Sequence, residues 1–326
     1  MTAYLLRRVL GLIPLLFGIT LLCFVVIHLT PGDPAVVGTD LNPKISLQAR
    51  QRIKEFYGLD RPLPVQYGRW VARVATLDFG RSLADNRPVS EKIAERIPVT
   101  LTINLLSMLL ILLIGLPIGI VAAAKPHGVF DQGTTLLVFL GFSMPTFWLA
   151  LLLMQWLGVQ WQWLPISGLR GLGTDSWPWW ERGWDLARHL ALPVSVSAFG
   201  GLAGIARYMR SQTAEVLQQE YIRTARAKGL PEPRVLFDHA LRNALLPIIT
   251  ILGLSVPGLL GGSVIFETIF AIPGLGRLYY DAVMARDLMT VMGLLTISAG
   301  LTLLGNLLAD LAYAYADPRI RVGGRA

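Results

Sequence analysis

Charge is what this sequence has least of. Its 326 residues are only 15% charged and 53% hydrophobic, with a mean hydropathy of +0.54. A soluble domain runs to about a quarter charged residues, scattered throughout. Here the charges cluster and leave long uncharged runs, the distribution a bilayer demands. Cysteine is nearly absent. The single Cys23 lies in an apolar run, which excludes an internal disulfide framework and paired thiolate ligands and reads as a small packed apolar residue. No Gly-x-x-x-x-Gly-Lys-Ser/Thr stretch occurs, so the chain has no P-loop of its own. The run Gly261-Gly262-Ser263 lacks the lysine and reads as packing. Ionisable residues are also scarce in the middle apolar runs, which disfavours an ion-coupled carrier.

What is present points to the membrane. A bilayer core of about 30 Å takes about 20 helical residues. Six runs approach that length: residues 9–29, 99–124, 134–157, 190–209, 245–266 and 288–314. The first follows Arg7 and Arg8 as a signal peptide would. It is longer than the usual apolar region of a signal, and no small-x-small site follows, so it reads as a retained helix. The net charge is +8 and the pI 9.9. Nucleic-acid binding is excluded because the basic residues lie between apolar runs rather than on one polar domain. With the N-terminus in the cytoplasm, thirteen Lys and Arg fall in inner loops and five in short outer ones. The positive-inside rule then puts both termini in the cytoplasm. The loop after the third run holds Trp156, Trp161, Trp163, Trp177, Trp179, Trp180 and Trp184, which reads as an interfacial belt.

These observations divide the chain into an N-terminal transmembrane helix (1–29), a polar extracytoplasmic subdomain (30–98), a five-helix core (99–316) and a cytoplasmic tail (317–326). Within the subdomain, residues 46–57 and 65–76 read as helices, 78–82 as a turn, and 88–96 as a third short helix. In the last run Asn306 and Asp310 lie one turn apart. An intramembrane carboxylate is a functional candidate; the alternative is that Asp310 pairs near the cytoplasmic end. Ser143, Met144 and Pro145 are candidates to line a pathway. The cytoplasmic loop 210–244 is basic and carries a short helix over 220–228, stopped by Gly229 with proline beyond it. Tyr221, Ala225 and Lys228 share one face of it, and Arg223 and Arg226 the other. Small residues there suit insertion into a partner's groove; a solvated basic loop under anionic lipid is the alternative.

That loop carries a resemblance. Tyr221-Ile222-Arg223-Thr224-Ala225-Arg226-Ala227-Lys228-Gly229-Leu230, followed by His239-Ala240-Leu241-Arg242-Asn243-Ala244, resembles the cytoplasmic motif of binding-protein-dependent ABC permeases. It is similar in particular to the dipeptide/oligopeptide/nickel permease family, nearest to the first permease subunit of dipeptide systems. The general motif is Glu-Ala-Ala, three residues, then Gly. Gly229 matches, and Arg223-Thr224-Ala225 stands where Glu-Ala-Ala would. Further runs fit in order: Leu6-Arg7-Arg8, Thr30-Pro31-Gly32-Asp33-Pro34, Tyr57-Gly58-Leu59-Asp60-Arg61-Pro62, Asp78-Phe79-Gly80-Arg81-Ser82, Ser143-Met144-Pro145-Thr146-Phe147-Trp148, Glu267-Thr268-Ile269-Phe270, Pro273-Gly274-Leu275-Gly276-Arg277 and Asp317-Pro318-Arg319-Ile320-Arg321.

The resemblance implies an all-α integral membrane protein of the type I ABC importer permease fold, with about six transmembrane helices and a small extracytoplasmic subdomain between the first two. It implies a non-enzymatic subunit in the cytoplasmic membrane that moves short peptides, or nickel or another solute of the same family. Partners would be a second homologous permease, two cytoplasmic ATPase subunits or domains, an extracytoplasmic substrate-binding protein and membrane lipid. The chain itself would bind no cofactor; ATP and Mg would sit on the ATPases. Glu220 to Gly229 would form the coupling helix, with His239, Arg242 and Asn243 packed behind it. From other classes, an ion-coupled carrier or channel using Asp310, and a scaffolding membrane protein, stay open.

Overall fold

A computed structural model describes residues 2–29, 55 and 60–316. The expected helix over 46–57, the runs Thr30-Pro31-Gly32-Asp33-Pro34 and Tyr57-Gly58-Leu59, and the tail from Asp317 lie outside them. The elements in chain order are α1 (Thr2–Leu29), α2 (Leu63–Val74), α3 (Val89–Ala124), α4 (Val129–Ser143) and α5 (Thr146–Leu153, prolonged by a π turn over Met154–Gln160). Then come α6 (Trp179–Leu217) and α7 (Glu220–Ala227), and α8 (Glu232–Ser255), which a π turn over Val235–Ala240 interrupts. Last are α9 (Val264–Ile269), α10 (Leu275–Met284) and α11 (Leu288–Ala316). No strand forms among the described residues; the one bridge pairs Arg81 with Pro88.

By length and composition α3, α6, α8 and α11 can each cross a membrane, and α4 with α5 makes a fifth candidate bent by 101°. The apolar part of α1 covers Leu10–Val25. Three expectations change. The short helix over 88–96 and the span from 99 are one continuous 36-residue helix, α3. Pro98 removes one backbone donor, and the helix continues through it, as membrane helices tolerate. The third span is broken, because Met144 precedes Pro145 and is held extended at φ −90°, ψ 123°, the conformation that the following ring favours. The fifth span starts earlier than residue 245 and stops at Ser255. A 3-10 turn over Val256–Leu260 follows, where Pro257 supplies no donor.

Contacts divide the chain into two units. The first comprises Met1–Thr100, Leu260–Thr268 and Pro273–Ala326. In it α1 packs along α11, and Tyr67 on α2 donates its hydroxyl to the Phe17 carbonyl (3.1 Å) and meets the Thr20 hydroxyl at 3.0 Å. Pro62 and Pro64 open α2, their fixed φ being preset for a first turn. Trp70, Phe79, Val89, Ile93, Leu275 and Met292 form the core beneath it.

A polar clasp secures the turn between α2 and α3. Asp287, 1% exposed, accepts from the Ser82 hydroxyl (2.5 Å), the Leu83 amide (2.9 Å) and the Thr290 hydroxyl (2.6 Å). Lys92 donates to Ser82 (3.0 Å) and reaches Asp85 at 2.8 Å. Burial alone would raise the Asp85 carboxyl. The hydrogen bonds from Lys92, the Arg87 amide and Ser82 outweigh it and hold the group at about 2. A second buried carboxylate, Glu267, accepts from the Thr100 hydroxyl (3.0 Å) and the Arg277 amide (2.9 Å). A Cβ on Gly274 would collide with that carboxylate, so glycine there is a packing requirement.

The second unit comprises Leu101–Leu259 and Ile269–Ile272. Its axis is α6. At about 1.5 Å per residue, 39 residues make about 58 Å, well beyond a bilayer core. The stretch from the end of α5 into the first turns of α6 carries seven of the nine tryptophans. All seven from Trp156 to Trp184 are exposed, with Trp161 and Trp163 ring centroids 4.7 Å apart.

Candidate functional site

The candidate site is built on α7 and the start of α8, both in the second unit. Gln219, extended at φ −70°, ψ 149°, opens α7. Its end is a Schellman motif. Gly229 takes φ 78° and donates to the Arg226 carbonyl (2.9 Å), while Leu230 donates to the Ala225 carbonyl (3.4 Å). Those two bonds occupy carbonyls that the helix end leaves unpaired, and glycine bears the left-handed φ without a Cβ penalty. The helix over 220–228 and the stop at Gly229 thus stand where the sequence puts them.

One face of α7 is committed to the chain itself. Ile222 (0% exposed) and Ala225 (6%) are buried with Val235 and Ala240, against Val216, Leu217, Leu230 and Leu236. The expected grouping of Ala225 with Tyr221 and Lys228 on an outward face therefore changes. The core of the hairpin claims Ala225, which packs with Val235 and Ala240 of the π turn. Glu220, Tyr221, Arg223, Thr224, Arg226, Ala227, Lys228 and Gly229 are exposed. Arg223 pairs with Glu220 (2.7 Å), and Arg226 grips Glu232 with two nitrogens (2.8 and 3.2 Å). The Asn243 amide donates to the Tyr221 hydroxyl (2.8 Å), which ties the α8 part of the motif to α7. His239 and Arg242 are exposed. The arrangement is a rigid knob, apolar beneath and polar above, suited to insertion in a complementary groove.

The same unit holds an open cavity of about 480 Å³ between α3, α6 and α8. Its polar groups are Asn104, Ser107, Ser197, Tyr208 and Ser255; the rest of the lining is apolar or glycine, with no charged side chain. Asn104 donates to the Leu259 carbonyl (2.8 Å) and Ser255 to the Ile251 carbonyl (2.8 Å). Ser143, Met144 and Pro145 are at the bend between α4 and α5 and are absent from this lining. These lining residues were not among the sequence-based candidates, although they leave a pattern. Asn104, Ser107 and Ile111, and Ser197, Gly201, Gly204 and Tyr208, recur at helical spacing on single faces, polar or small residues that hydropathy averaging hides. Asn306 is exposed on α11, where Asp310 also lies, the latter's side chain outside the described set.

Comparison with known proteins follows the same outline. Residues 115–322 match the model of the binding-protein-dependent transport system inner membrane component, and residues 1–104 match that of the N-terminal part of such membrane components. The chain is 46% identical over 321 residues to the oligopeptide transport system permease protein AppB of Bacillus subtilis, covering 98% of this chain and 99% of that one. It is 39% identical over 335 residues to the dipeptide transport system permease protein DppB of Alkalihalophilus pseudofirmus, covering 98% and 100%.

Proposed function

The chain belongs to the family of binding-protein-dependent transport inner membrane components, and from that premise we propose that it is the permease subunit of an ATP-driven importer of short peptides. It sits in the cytoplasmic membrane as a multi-pass protein with both termini inside. A second permease completes the pathway, an extracytoplasmic binding protein delivers the peptide, and separate ATPase subunits, carrying ATP and Mg, supply the energy. The exposed face of α7 seats in the ATPase groove. ATP-driven closure moves that knob and switches the helices between inward and outward access, a differential contact biasing a bistable bundle. The cavity between α3, α6 and α8 forms part of the pathway. Its neutral hydroxyl and amide groups suit a peptide backbone, and weak neutral contacts let a substrate leave as readily as it enters.

The observation that carries this reading is the build of α7: fixed from below by Ile222 and Ala225, stopped by Gly229, and open above. It also selects the test. Ala225→Glu would bury a charge in the hairpin's own core and disturb folding as well as docking. Ala227→Glu alters only the exposed face. In proteoliposomes holding the full transporter, Ala227→Glu abolishes ATP-driven uptake of a labelled dipeptide and releases the co-purifying ATPase, while thermal unfolding of the permease is unchanged. Unaltered uptake by this variant would remove α7 as the seat. Uptake by wild type with no ATPase present would overturn the importer reading.

A further inference from the structure

An ion pair between a buried carboxylate and a partly exposed arginine lies at the cytoplasmic end of the second unit, apart from the knob and the cavity. Asp131, in the first turn of α4, is 3% exposed. Arg210, on α6, grips it with two nitrogens, Nε and Nη2, the latter at 2.7 Å. The His127 amide donates a third bond to Asp131 (2.9 Å). Two parallel bonds from a planar fork fix direction as well as distance. Burying the Asp131 carboxylate costs desolvation that offsets the Coulomb gain, and Arg210, 32% exposed, keeps part of its charge in reach of solvent, so geometry, more than net stability, is what the pair supplies.

Its surroundings give that geometry a use. Next to it α3 and α6 touch backbone to backbone: a Cβ on Gly119 would lie 2.5 Å from the Ala206 carbonyl and 2.9 Å from the Arg210 amide. Met209, fully buried, packs with Ile120, Ala244 and Ile248. The end of α6 is therefore wedged against α3 and α8 and pinned to α4. Seven residues beyond Arg210 the helix ends at Leu217, and Val216 and Leu217 pack on Ile222 and Ala225 of α7. Tyr208, two residues before Arg210, lines the cavity.

We propose that Asp131 and Arg210 are positioning residues for transport: they lock the end of α6 to α4, so that a displacement of α7 moves α4, α6 and the cavity wall as one body. This rests on the reading of α7 as the ATPase seat. Without the lock, α6 rocks at its cytoplasmic end, and ATP hydrolysis continues without moving substrate.

The test uses Arg210→Lys, which keeps the charge and loses the fork, and Asp131→Asn, which keeps the shape and loses the charge. Each is made in the assembled transporter with its permease partner, ATPases and binding protein. Co-purification and ATP hydrolysis stay at wild-type level in both, while dipeptide taken up per ATP falls about tenfold, within the usual range of coupling between sites. Unchanged uptake per ATP in both variants overturns the proposal. So does loss of the assembled complex in both, which would make the pair a folding contact alone. Ala227→Glu separates the two readings. If it leaves the ATPase bound and coupled while Arg210→Lys uncouples, the α7 seat fails and the lock stands. If it releases the ATPase while both lock variants couple normally, the lock fails and the seat stands.

Discussion

At the scale of single residues, this chain concentrates its meaning in a few polar groups held in apolar surroundings. Asp85, Lys92, Ser82 and Asp287 form one connected clasp, and it makes a pH prediction. The carboxyl of Asp85 has its pKa lowered from 3.8 to about 2 in the folded protein. Its stabilising contribution is therefore fully present above the unfolded value and is lost as pH falls from about 4 to about 2. Asp85→Asn should unfold at a lower temperature than wild type at pH 6, with the gap closing as the scan is repeated below pH 4. The group is half exposed, so solvent screening keeps the effect small. An equal gap at all pH values would mean the loss is one of packing. The sequence marks Ser82 within a turn and leaves Asp287 unremarked, because their partnership spans 205 positions and no local periodicity reports it. Ala225 is a related case. Helical spacing gives its angular position, but which side of α7 the chain keeps for itself depends on where Val235 and Ala240 return.

Among the elements, α7 was the most legible, since its start, period and stop are all local. Gly229→Ala tests the stop. Forcing a Cβ into φ 78° costs about 1 kcal/mol, enough to raise the local opening equilibrium about fivefold. Hydrogen exchange over residues 220–227 should quicken by that factor while exchange in α6 stays as in wild type; unchanged exchange would mean the hairpin core alone ends the helix. The long apolar elements were legible in place and poorly legible in form: six runs were expected, and among the described residues four helices, or five with the bent pair α4 and α5, are long and apolar enough to cross a membrane. Hydropathy sums side chains and is blind to whether a run is straight, so α4 and α5 read as one span although Pro145 breaks them by 101°. Conversely Pro98 looks like a boundary and is not one, since neighbouring turns keep α3 helical.

For the whole molecule, charge that is rare gives the class, and charge that is lopsided predicts the sidedness. Sidedness can be measured directly. With Cys23→Ala as background, Ala227→Cys should react with an impermeant maleimide only in inside-out vesicles, and Leu172→Cys, fully exposed, only in right-side-out ones. The reverse pattern would invert the topology and put α7 beyond reach of any cytoplasmic ATPase. The cavity is the part least visible in advance, because it is a gap assembled from three helices far apart in sequence. The tryptophan-rich segment has a further consequence. Seven of the nine indoles occupy one stretch from the end of α5 into the first turns of α6, all exposed, while Trp70 is buried elsewhere. Intrinsic fluorescence of this protein is thus dominated by a single region. Emission wavelength and its quenching would report a change of state or the arrival of a partner at that region, with no dye attached.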